Sequence, residues 1–217
     1  EIESAFNKKD NLITITNLSG HYLSAVFDAT GSVDLSSKAP TLDIKNNLRF
    51  KLEDIGNFMP DLKKNLDPLK LSGLISVKTN LTGPAANFKE IMAHSNASCD
   101  EAQIAGLKFT NLNAEAILEE GKVKKLNLQS NLYDGTLNIL SSADLNRPNT
   151  PFETAIKMEA VNLAKLKNDT PAKDEDLRGS IAFTSLVNGS LKEPLQIKGS
   201  GNLNISEGYL MKKEFVS

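Results

Sequence analysis

The sequence predicts an all-β protein, mostly antiparallel, with an extended sheet curled into a groove. Three observations carry that prediction. Apolar and polar residues alternate over stretch after stretch, turn formers separate the stretches, and the pattern recurs further down the chain. Alternation with a period of two sends every second side chain to the same face of a strand.

Taken in order, Ile13 and Ile15 alternate with threonines, and Leu42 and Ile44 with Asp43 and Lys45. Phe50 and Leu52 follow in "LRFKLED". The next stretch breaks the pattern: Ile55, Phe58, Met59 and Leu62 fall near helical spacing, predicting a short helix over about 54–66. Pro60 belongs at the start of that helix or breaks it. Ile75 and Val77 resume the alternation, and Leu126 with Leu128 continue it.

The stretch "NLYDGTLNILSSADLNRP" joins two strands through Tyr133-Asp134-Gly135. Asp-Gly supplies the positive φ angles of a two-residue hairpin loop, so these two residues are expected at the turn. Leu137 and Ile139 lie on the returning strand, and the prolines at 148 and 151 form the next reversal. Ile156 and Met158 come next. The charged segment "KLKNDTPAKDEDL" is poor in apolar residues and predicts a mobile loop over about 165–177. Ile181 with Phe183, Leu195 with Ile197, and Leu203 with Ile205 complete the series.

A shift of 106 residues superposes two halves of this pattern. It brings Phe50 onto Ile156, Leu52 onto Met158, Gly73 onto Gly179, Ile75 onto Ile181, Gly83 onto Gly189 and Phe109 onto Phe215. "GSVDLSSKAP" and "SSADLNRPNTP" correspond as a strand end with a proline corner. Residues 1–105 and 106–217 therefore read as two tandem β repeats, a quasi-linear arrangement with at most one short helix in each.

Composition narrows the function. The 217 residues carry 25 basic and 27 acidic side chains, scattered singly, so there is no basic patch for nucleic acid. Aromatics make up 6% and tryptophan is absent, which argues against a stacking platform for bases or sugars. The lone Cys99 excludes an internal disulfide and a cysteine zinc cluster. No apolar run reaches the roughly 20 residues of a membrane-spanning helix. The chain starts and stops in ordinary sequence and reads as a piece of a longer protein.

Nothing in the chain suits catalysis. His21 and His94 have no neighbours at metal-ligand spacing. Asp174-Glu175-Asp176 lacks the spaced oxygens and turn glycine of a calcium loop. Gly199-Ser200-Gly201 leads into a strand rather than a helix, so it lacks phosphate-loop geometry. The expectation is a non-enzyme without metal or cofactor. What remains is the apolar strand face, either a sealed core or a furrow for acyl chains. Scarce helical cover and a lining of Leu, Ile and Val favour the furrow.

The segments "LSGLISVKTNLTGPAANF", "NLYDGTLNILSSADL", "IKMEAVNLAKL" and "LQIKGSGNLNISEGYL" resemble the AsmA-like family of Gram-negative envelope proteins, relatives of TamB. The resemblance is strongest from Leu71 onward; the first copy departs from it at Ala102, which stands where the second has Gly208. It implies a periplasmic β-groove, anchored in the inner membrane by a helix outside this stretch, that passes phospholipid toward the outer membrane. It further implies that acyl chains lie on the apolar face, that some lysines meet anionic head groups, and that outer-membrane assembly proteins are possible partners. Two alternatives share the strand pattern: a sealed β-sandwich for binding or adhesion, and a structural envelope factor without lipid cargo.

Overall fold

The structure is a computed structural model that describes residues 1–192 and 196–211, without the side chains of residues 61, 62, 88 and 209–211. Leu195 and Phe215 lie outside the described residues. Twelve strands form one antiparallel sheet in strictly sequential order. They are β1 (Ile2–Lys9), β2 (Leu12–Tyr22), β3 (Ala25–Asp34), β4 (Thr41–Lys51), β5 (Ser72–Pro84) and β6 (Met92–Ile104), followed by β7 (Leu107–Glu119), β8 (Lys122–Leu132), β9 (Gly135–Asp144), β10 (Pro151–Asn162), β11 (Asp176–Ser190) and β12 (Lys198–Met211). Most connections are short, as antiparallel neighbours need only a tight turn between them, and the two long ones, after β4 and β10, carry the helices.

Register converts the alternation into two faces. Phe27, Leu48, Val77, Ala97, Ala114, Leu128, Ile139 and Ile156 stand side by side across eight strands, β3 to β10. One residue along, Asp28, Asn47, Lys78, Asn96, Glu115 and Asn127 form the matching row on the other face. In β10 the apolar-face side chains Ile156 and Met158 are half-buried while Lys157 and Glu159 are exposed. Neighbours shield one another on the apolar side, as on the inside of a curl.

Helical connections close one end of that side. After β4 come a 3-10 turn at Leu52–Asp54, α1 (Ile55–Phe58) and α2 (Pro60–Leu66). Pro60 occupies the first turn of α2, where its missing N–H costs no helical bond, so it both breaks the segment and starts the second piece. After β10 comes α3 (Leu163–Leu166), capped by the Asn162 side chain, which accepts from Lys165 N–H, and then a 3-10 turn at Lys167–Asp169.

Where the sequence predicts a loop over 165–177, this second connection is helical as far as Asp169, runs through turns and bends over 170–175, and enters β11 at Asp176. Leu163 is buried, Leu166 packs on the core, and the Lys167 ammonium donates to the Glu175 carbonyl at 2.6 Å. "NLAKL" carries apolar residues three apart at Leu163 and Leu166, a helical spacing masked by the charged run that follows.

The repeat reappears in backbone hydrogen bonds. Leu35 N–H donates to Asn11 O and Leu145 N–H to Gly121 O, at 2.7 and 3.0 Å. The Asp34 carboxylate accepts from Ser36 N–H, as Asp144 does from Asn146 N–H. Gly73 and Gly179 occupy equivalent positive-φ positions, at 134° and 104°, where β5 and β11 shift register against their next strands. The boundary at 105/106 coincides with the turn between β6 and β7, and the sheet runs through it unbroken.

Candidate functional site

The candidate site is the apolar face, and burial along it is graded. Cys99, Ala102, Phe109, Leu112, Leu132, Leu137 and Val161 are buried in one cluster at the helical end, with Val161 only 1% exposed. Leu52, Ile75, Leu128, Ile139, Ile156, Met158 and Ile181 pack against that cluster as half-buried residues. At the far end Ile44, Leu81, Val123, Phe152 and Val187 are all half-buried. Among the described residues the face is sealed at one end and only half-buried toward the other.

Register places the predicted residues accordingly. Phe50, Ile75, Val77, Leu126, Leu128, Leu137, Ile139, Ile156, Met158, Ile181, Phe183, Leu203 and Ile205 share one face of the sheet. Leu52 lies just beyond β4 and packs on the cluster, and Ile197 precedes β12 with its side chain exposed. Phe50 and Leu137 are sealed: Phe58 of α1 meets Phe50 edge-on at 5.5 Å between ring centroids and touches Tyr22 at 6.1 Å. These two residues build the closed end, while Val77 and Leu126 lie further toward the far end; Phe183 and Leu203 share the row of Leu137, and Ile205 that of Val161, on the last two strands, where Leu203 and Ile205 are exposed.

The lining also contains polar atoms that sequence alternation missed. Thr79 pairs with Ser95 at 2.9 Å and Ser141 with Thr154 at 2.8 Å, hydroxyl to hydroxyl across adjacent strands of the apolar face. Each hydroxyl satisfies its partner, so the surface stays compatible with hydrocarbon contact.

The turn at the closed end differs from its expected form. Tyr133 and Asp134, not Asp134 and Gly135, are the two loop residues, with φ of 46° and 68°. Gly135 already belongs to β9, and a Cβ there would lie 2.6 Å from Val161 N of β10. Glycine is required by close backbone approach rather than by the turn itself.

The turn side chains latch the second helical connection. The Tyr133 hydroxyl donates to Asp169 Oδ2 at 2.8 Å and accepts from Lys108 N–H at 3.1 Å, and the Lys108 ammonium reaches Asp169 Oδ1 at 2.9 Å. Asp134 accepts from the Lys165 ammonium at 2.6 Å and from the Asn162 amide at 3.1 Å. Lys108, with the Tyr133 hydroxyl, holds the Asp169 carboxyl below the usual carboxylate range, and Lys165 does the same for Asp134. Burial is the main reason that the Tyr133 phenol and the Cys99 thiol are raised.

The opposite face is polar but not uniformly so. Leu140, Ala155 and Leu186 stand together there, exposed, on β9 to β11. They floor a shallow hollow of about 520 Å³ whose lining includes Asn127, Asn138, Lys157, Thr184 and Asn202. Among the described residues no group of three or more His, Cys, Asp or Glu side chains is placed to hold a metal ion, and no helix is long and apolar enough to cross a membrane. No family model matches the chain, and neither a curated protein nor a solved structure matches it.

Proposed function

We propose that the apolar face binds the acyl chains of a lipid, as a non-catalytic furrow in an AsmA-like envelope protein. One observation carries this reading: the face runs across the sheet, and its far end carries half-buried apolar side chains with no α-helix over them among the described residues, where the connections hold only short 3-10 turns such as Phe88–Glu90. Transfer of each methylene from water to such a surface is worth about 0.8 kcal/mol, so a long chain gains several kcal/mol by lying on it. Head groups would project past the strand ends, where lysines such as Lys122 and Lys124 stand beside the furrow's open end. The periplasmic setting, the passage of phospholipid toward the outer membrane and an anchor outside this stretch belong to the same proposal.

The test is purification from a bacterial periplasm without detergent, followed by native mass spectrometry and lipid extraction. Co-purified phospholipid is expected, with marked loss on Leu126→Asp. That residue is 36% exposed on the apolar face of a central strand, so the substitution should leave the fold intact by circular dichroism. A folded protein that carries no lipid and excludes apolar dyes would refute the furrow reading.

A further inference from the structure

On the polar face the two repeats differ in chemistry where they agree in backbone. Asp34 of the first repeat corresponds to Asp144 of the second, and Gly73 to Gly179. Counted along the strands from these points, the row Thr30, Lys45 and Asn80 across β3 to β5 corresponds to Leu140, Ala155 and Leu186 across β9 to β11. The neighbouring row Asp28, Asn47 and Lys78 corresponds to Asn138, Lys157 and Thr184. Charge is largely removed from the second repeat, and an apolar patch takes its place.

The fold does not demand that patch. The first repeat builds the same three strands with threonine, lysine and asparagine at its positions. Leu140 and Leu186 are 53% and 43% exposed, side by side with exposed Ala155 between them, on strands that are each paired on both sides. Apolar surface gathered in one place on a polar face, without a packing role, marks a surface used for binding.

The three residues floor the hollow of about 520 Å³, and small-molecule sites fall in a range of about 300–1,000 Å³. Asn127, Asn138 and Thr184 line it with amide and hydroxyl groups that donate and accept. Among the described residues no side-chain hydrogen bond takes up these three, whereas in the first repeat the Asn47 amide is bonded to Asp28 at 2.7 Å. Lys157 is the one charged residue of the lining, and Glu159 pairs with it at 2.8 Å.

These groups select a neutral ligand in which small apolar groups and amides lie close together. A hydrocarbon chain laid there leaves the amides beneath it without partners. An anion meets a single cation that already has a carboxylate. A bare pyranose face calls for an aromatic ring, which the hollow lacks. An acetamido group is different: its methyl needs an aliphatic seat, and its carbonyl and N–H need amide or hydroxyl partners.

We propose that this hollow binds a neutral glycan bearing acetamido groups. The acetyl methyl rests on Leu140 and Leu186, and the Asn138 amide donates to the acetyl carbonyl oxygen. The site lies on the face opposite the furrow, so it stands apart from the lipid reading.

The test is NMR titration of the folded chain with chitotetraose, four linked N-acetylglucosamine units, against cellotetraose, which lacks the acetamido groups. Shifts confined to β8 to β12 are expected with the first sugar and not with the second. The double variant Leu140→Thr, Leu186→Asn carries the residues that the first repeat tolerates at the same backbone positions, and it should weaken binding about tenfold or more. Asn138→Asp, again the first repeat's residue, removes the donor to the acetyl carbonyl and should weaken binding independently. No shifts at millimolar chitotetraose overturn the proposal. Equal binding of cellotetraose, or variants that both bind as the parent does, overturn it as well.

Discussion

The Tyr133 hydroxyl donates to the Asp169 carboxylate at 2.8 Å, across 36 residues of sequence. It ties the β8–β9 turn to the segment that follows β10, and with Lys108 of β7 it makes the closed end one connected structure. Tyr133→Phe removes the hydroxyl and leaves Asp169 with Lys108 alone. A loss of about 1–2 kcal/mol is expected in urea unfolding, since a typical hydrogen bond contributes about 1 kcal/mol and one to a charged group somewhat more. An unchanged midpoint would mean that the latch contributes nothing to the fold.

The latch should also respond to acid. Asp169 and Asp134 have folded pKa values lowered by their lysine partners, so their contribution is present above the ordinary carboxylate range, near pH 4, and is lost as pH falls through the lower folded values. Asp169→Asn with Asp134→Asn should therefore flatten stability against pH below about 4. The check is urea unfolding at a series of pH values, and equal slopes in the variant and the parent would count against the latch.

Gly135 is fixed by β10 rather than by the turn. A methyl group there meets Glu159 O, Ala160 C and Val161 N, all backbone atoms that cannot swing aside. Gly135→Ala should destabilise by about 1–3 kcal/mol, the cost of overpacking. Asp134→Gly, by contrast, relieves a positive φ but removes the Lys165 partner, so its effect should be smaller.

The two helical connections should differ in weight. Leu163 is 6% exposed, and Leu163→Ala should cost about 2–5 kcal/mol. Phe58 remains half-buried, so Phe58→Ala should cost less, about 2 kcal/mol, through lost contact with Phe50 and Tyr22. Thermal unfolding of the two variants checks the order.

On the exposed polar face, the Lys125–Glu115 pair at 2.5 Å joins β8 to β7, with His94 of β6 beside the same carboxylate at 3.1 Å. Lys125→Met should barely move the urea midpoint, because solvent screens the pair. A larger loss would show that this cross-strand network carries more of the sheet than surface exposure suggests.

The sequence by itself determined the strands, their two faces and the repeat. Each follows from short-range periodicity: Ile156 and Met158, or Leu137 and Ile139, need only a pleated backbone to share a face. It also contained the spacing of Leu163 and Leu166, although the charged residues that follow hid it. What only the tertiary structure decided is where that face is closed. Phe50 and Leu137 look in sequence like Val77 and Phe183, yet they are buried because Phe58 and the packed cluster come to rest over that end. The choice of Tyr133-Asp134 as the turn was equally hidden, since it depends on the approach of β10 to Gly135. Periodicity acts between neighbours in sequence, whereas cover and close approach depend on segments tens of residues apart.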